Sequence, residues 1–140
     1  MNIDLSYAVT PFAAWLVAGA MKFAINSIRA GQLAFGLIGY GGLPSNHSAI
    51  VSSMAALVAL NEGIAHPAFG VALTLAFIVI LDAGSLRQAV GKHAAALNRL
   101  HAGKPDHKPL RERMGHTRVE VLAGVAVGIG VAALVRAFLR

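Results

Sequence analysis

The 140-residue chain contains no cysteine, which excludes a disulfide framework, a thiol nucleophile and a thiolate-bound metal. Charge is scarce too: 13% of residues are Asp, Glu, Lys or Arg against 56% hydrophobic, and mean hydropathy is +0.65. A soluble globule of this size could not cover its surface with so few polar groups, so the composition points to a membrane protein. Acidic residues are the rarest charges, 6 against 12 Lys and Arg, for a formal net charge of +6. In a soluble chain that excess would suggest nucleic acid as a partner; beside long apolar stretches the bases mark membrane topology instead, and no nucleic-acid partner is expected. The first apolar stretch has neither a basic n-region nor an A-x-A cleavage site, and is expected to be a retained span.

Four apolar stretches are present, at about 5–28, 48–64, 67–81 and 119–139. A helix needs roughly 20 residues to cross the hydrocarbon core. The first and fourth qualify outright, the middle two if their polar flanks extend the helix. Residues 86–100, rich in Ala and Leu with Arg87, Lys92 and Arg99 interspersed, are expected to carry the third helix into the headgroup zone. The segment 31–44 holds Gly31, Gly36, Gly39, Gly41 and Gly42 and is expected to form a re-entrant or irregular loop buried against protein; 103–109, with two prolines, reads as a loop. The fold class that follows is all-α. Residues 1–140 are expected to form one membrane-embedded domain, an integral, multi-pass helical bundle with about four transmembrane helices and a re-entrant glycine-rich loop. Four crossings put 28–47 and 82–118 on one side; with Lys22, near the end of the first stretch, that side holds ten of the twelve bases, leaving Arg136 and Arg140 on the other. The positive-inside rule turns the richer face to the cytoplasm.

Lys22 and Arg29 are seven residues apart, about two helical turns, so they project from nearly one helix face. A cation at the bilayer centre costs on the order of 2.5 to 3.5 kcal/mol. Snorkelling at the interface accounts for Arg29 as readily as binding does, whereas Lys22 lies deeper. Gly42-Leu43-Pro44-Ser45-Asn46-His47-Ser48 is a turn leading into a helix: Ser45 or Asn46 can cap it, and the amides at its start favour an anion. A capping turn with an incidental histidine is the plainer reading of that segment alone. The Gly-Lys-Ser/Thr ending of a Walker loop is missing. His116 and Glu120 lie one turn apart at the start of the last span. A carboxylate bonded to one imidazole nitrogen fixes the tautomer and leaves the other free to attack or take up a proton. An interfacial His beside a Glu that suits the positive helix end is the alternative. A His-Glu metal pair would need a second carboxylate or an H-E-x-x-H pattern, so no metal ligand is assigned. Lys22, Arg29, His47, His116 and Glu120 come from three segments yet map to one membrane face, which makes them a candidate site.

These residues resemble the type-2 phosphatidic acid phosphatase (PAP2) superfamily, which includes vanadium haloperoxidases and carries the motifs Lys-x6-Arg-Pro, Pro-Ser-Gly-His and Ser-Arg-x5-His-x3-Asp. The chain has Lys22-x6-Arg29, Pro44-Ser45-Asn46-His47 and His116-x3-Glu120 in that order, and Glu120-Val121-Leu122-Ala123-Gly124 is similar to the run that often follows the last motif. The chain is more similar still to the divergent, four-span branch, through Pro-Ser-Asn-His, Asp82-Ala83-Gly84-Ser85-Leu86-Arg87 and Leu110-Arg111-Glu112-Arg113-Met114-Gly115-His116-Thr117. Proline is missing after Arg29, Asn46 replaces a glycine and Glu120 an aspartate. The arginine expected six residues before His116 is Leu110, so Arg111, Arg87 or Arg113 is left to supply that cation.

The resemblance implies a phosphatase that works without metal or other cofactor. His116, oriented by Glu120, would attack phosphorus and form a phosphohistidine; His47 would protonate the leaving oxygen and then activate water. Lys22, Arg29, Ser45, Asn46 and a further arginine, Arg87 or Arg111, would hold the phosphate oxygens. A site at the membrane face suits a lipid phosphate or an isoprenoid (di)phosphate. The alternative is a non-catalytic PAP2-like protein that binds lipid or helps assemble a membrane complex. Gly124-x3-Gly128 allows close helix contact within one chain or between chains, which leaves homo-oligomerisation open.

Overall fold

The computed structural model describes residues 5–35, 42–104 and 108–139. Among these the regular structure is helical throughout: α1 (Ser6–Ala30), α2 (Asn46–Glu62), α3 (Pro67–Leu81), a π-helical turn (Asp82–Leu86), α4 (Arg87–Leu100) and α5 (Arg118–Leu139). Since α3, the π turn and α4 run on without a break, the molecule is a bundle of four rods. Of the glycine-rich segment 31–44 expected to be re-entrant, residues 36–41 lie outside the described residues.

Local sequence accounts for the helix ends. Gly31 at φ 65° stops α1 in the left-handed conformation, its N–H donating to the Ile28 carbonyl. Ser45 starts α2 by accepting the Ser48 N–H on its hydroxyl. Pro67 opens α3 behind an N-cap from the His66 ring. At α5, Thr117 and Glu120 form a capping box: Thr117 N–H donates to Glu120 Oε2 at 3.1 Å, and Glu120 N–H to Thr117 Oγ1 at 3.3 Å.

The centre of the bundle is α2, which packs against α1, α3 and α5. Small side chains make this possible. Ser6, Thr10, Ala14 and Ala18 form the buried stripe of α1 at four-residue spacing, and α2 buries Ser48, Ala49, Ser52 and Ser53. The Ser52 hydroxyl donates to the Ser48 carbonyl at 2.5 Å, so the buried polar group is satisfied within its own helix. On α5, Gly124 and Gly128 meet Ser45, Ser48, Ala49 and Ser52 so closely that a Cβ at either glycine would overlap them. The contacts advance together along both helices, so α2 and α5 run parallel, and the small-residue seam anticipated at Gly124-x3-Gly128 lies within one chain.

Large apolar residues face outward. Phe12, Trp15 and Leu16 on α1, Phe77 and Ile78 on α3, and Leu122 and Phe138 on α5 are exposed, whereas the core is dominated by alanine. This inversion of a soluble core suits lipid surroundings, where close approach of small residues rather than water expulsion holds helices together. Among the described residues three rods are long and apolar enough to cross a membrane: α1, the 34-residue rod Pro67–Leu100 and α5. The expected set of about four spans thus resolves into three that qualify by length and composition, with the 17-residue α2 packed among them. At 1.5 Å per residue the long rod reaches about 50 Å against a hydrocarbon core of about 30 Å, so α4 extends well past the apolar layer.

Candidate active site

The start of α2, the C-terminal half of α1, the first residue of α4 just past the π turn, and the segment entering α5 meet at one end of the bundle around a cavity of about 750 Å³. Its polar wall carries Lys22, Asn46, His47, Arg87, Arg111 and His116; Trp15, Leu16, Phe23, Phe35 and Ile50 form its apolar wall. The His47 and His116 ring centroids are 6.0 Å apart, with the planes inclined at 56°. Reacting atoms in a near-attack geometry sit about 3–3.5 Å apart, so the two rings are close enough to contact opposite sides of one phosphoryl group.

His116 is buried, and its Nδ1 lies 3.0 Å from Glu120 Oε2. Glu120 serves two ends at once, because the same oxygen accepts the Thr117 N–H of the capping box. The pairing leaves Nε2 as the imidazole nitrogen available for chemistry. His47 Nδ1 and the Asn46 carboxamide oxygen are buried beside the cavity without a partner among the described residues, as expected where a ligand or water completes the bonding.

Arg87 reaches the cavity through the π turn. Its Nε lies 3.3 Å from Asp82 Oδ2, a five-residue spacing that the wider π turn brings onto one face. Both side chains are about two-fifths exposed (40% and 38%), so the pair adds no more than about 1 kcal/mol of stability and matters chiefly for aiming the guanidinium. Arg111 also lines the cavity, with Nε bonded to the Arg113 carbonyl at 3.2 Å.

Two sequence-assigned phosphate contacts are placed differently. Arg29 is exposed in the last turn of α1 and is not among the lining residues. Ser45 is fully buried, its hydroxyl engaged by Ser48, and it does not line the cavity either. The sequence reading missed Gln88, Gly91 and Asn98 on α4. Asn98 holds Leu110 by both backbone groups at 2.8 Å, Gly91 passes beneath the Glu112 carbonyl, and Gln88 Nε2 donates to the His116 carbonyl at 2.9 Å.

The profile of the Divergent PAP2 family matches residues 4–131. The uncharacterized membrane protein YuiD of Bacillus subtilis (strain 168) is 31% identical over 138 residues, an alignment covering 86% of this chain and 87% of that protein. No solved structure matches the chain significantly.

Proposed function

The chain belongs to the Divergent PAP2 family, and from that premise we propose that it is a metal-independent membrane phosphatase acting on a lipid or isoprenoid (di)phosphate. The observation that carries this reading is the pair of imidazoles 6.0 Å apart on the wall that also bears Lys22, Arg87 and Arg111. His116, polarised by Glu120, attacks phosphorus; the P–N bond forms as the bond to the leaving oxygen breaks, and His47 gives that oxygen its proton. His47 then takes a proton from water, whose oxygen displaces His116 from phosphorus and releases phosphate. Lys22, Arg87 and Arg111 neutralise the non-bridging oxygens, the role a bound cation has in other phosphoryl-transfer sites.

The cavity's shape supports a lipid-borne substrate. Trp15 and Lys22 both line it, and seven residues of helix separate them by about 10 Å along α1, toward the apolar end. A phosphate at the Lys22 level therefore has room for an apolar tail beside Trp15 and Phe23. Turnover of phosphatidate, phosphatidylglycerophosphate and prenyl phosphates by detergent-purified protein tests the reading. Hydrolysis should persist in EDTA and disappear in His116→Ala and in His47→Ala, with membrane insertion unchanged. A His116→Ala protein that still turns over substrate rules out the nucleophile, and a strict metal requirement rules out the mechanism.

A further inference from the structure

Both backbone groups of His116 are held by the rod formed by α3, the π turn and α4. Its N–H donates to the Ala83 carbonyl and its carbonyl accepts from Gln88 Nε2, each at 2.9 Å. Ala83 lies inside the π turn, whose i→i+5 bonding departs from the α ladder, and its carbonyl serves a residue from outside the rod. The chain reaches this point by passing hard against α4. Gly115 has φ +85°, and a Cβ there would lie 2.6 Å from Gln88 Cγ and 2.9 Å from the Gln88 backbone nitrogen. Further along, Gly91 and Asn98 hold the same segment at Glu112 and Leu110. Gln88, Gly91 and Asn98 are three and seven residues apart, which places them on one face of α4.

The neighbour of Gln88 is Arg87, which lines the cavity. One rigid element therefore sets the register of a phosphate-facing guanidinium and of the His116 backbone together. We propose that Gln88 is a positioning residue for His116: with the π-turn carbonyl of Ala83, it fixes the peptide groups on either side of the ring, so that Glu120 and the cavity meet the imidazole in one orientation. The kinetic arm of this inference rests on the phosphatase reading; its spectroscopic arm does not.

The test uses full-length protein in detergent carrying nitrogen-15-labelled histidine. Gln88→Leu removes the donor at similar bulk, and Gln88→Glu keeps the shape while setting an acceptor against the His116 carbonyl. In both, kcat on phosphatidate should fall roughly ten- to a hundredfold, the scale of a small misplacement of a reacting group. KM should stay within about twofold, because Lys22, Arg87 and Arg111, which would grip the phosphate in ground and transition state alike, are untouched. The His116 Nδ1 resonance should shift as its bond to Glu120 loosens. Wild-type kcat with an unmoved resonance overturns the proposal, as does a loss that falls on KM alone. If the wild-type chain leaves phosphatidate intact, the phosphatase reading fails, and the His116 resonance of the two variants still decides the positioning role. Should Gln88→Leu not fold, Gln88→Glu supplies both readouts.

Discussion

Glu120 joins a helix cap and an imidazole through one carboxylate oxygen, and the proposed mechanism gives it a chemical role beside the structural one. Its Oε2 accepts from the Thr117 amide that starts α5 and lies 3.0 Å from His116 Nδ1. The two roles separate in Glu120→Gln. An amide oxygen still accepts the Thr117 N–H, and Gln is an accepted third residue of a capping box, so thermal unfolding in detergent should show stability within about 1 kcal/mol of wild type. The missing negative charge no longer supports a cationic imidazole, and hydrolysis should drop by roughly 10²- to 10⁴-fold. Unchanged hydrolysis would reduce Glu120 to a cap. This pairing was legible in the sequence, because a four-residue spacing at a helix start puts two side chains on one face. Arg29 shows the limit of the same logic. It shares a face with Lys22, but the cavity runs from Lys22 back toward Trp15, while Arg29 lies two turns the other way and is exposed. Sharing a helix face fixes direction around the axis and says nothing of position along it. Ser45 had an anion contact and a helix cap open to it, and the buried hydroxyl makes the cap.

Among the elements, the seam between α2 and α5 is the tightest contact and the most exposed to substitution. A methyl group at Gly128 would meet Ser52 Oγ, the Ala49 carbonyl and the Ser53 amide nitrogen, two of them backbone groups of a central helix with nowhere to yield. Gly130, two residues on, has nothing within 4 Å of the same methyl position. Gly128→Ala should therefore destabilise by about 1–3 kcal/mol through overpacking, whereas Gly130→Ala should be neutral or stabilise by up to about 1 kcal/mol through helix propensity. Thermal unfolding of the two variants in one detergent checks the contrast, and equal effects would contradict the packing described. Apolar runs exposed α1, α3 and α5 readily because those helices turn bulky residues outward. The weaker signal of α2 has a physical origin: a helix surrounded by three others needs Ser and Ala for close approach, which dilutes its hydropathy. The π turn left no comparable trace, and neither did the hold of Gln88 and Asn98 on the segment before α5. Those bonds join residues 28 and 12 positions apart, and no local periodicity encodes them.

Across the whole molecule, the site's position and its charge follow from one arrangement. The ends that meet at the cavity are the C-terminal end of α1, the start of α2, the junction of α3 with α4 and the start of α5, and the opposite end of the bundle holds the turn from Gly63 to His66. Ten of the twelve bases belong to the site's side, and on the positive-inside rule we propose that this side faces the cytoplasm. A site there would draw phosphate-bearing lipid from the inner leaflet, where the bases of α4 and the following segment also favour anionic headgroups. Because the chain has no cysteine, a single introduced thiol reports orientation without background. Lys104→Cys, on the site's side, should resist a membrane-impermeant maleimide in intact cells and react once the cells are opened. Ile64→Cys, at an exposed position of the opposite turn, should react in intact cells. The reverse pattern would place the imidazoles on the outer face and give them a different leaflet's lipids; labelling of both thiols in intact cells would contradict a bundle whose two ends lie on opposite sides of the membrane.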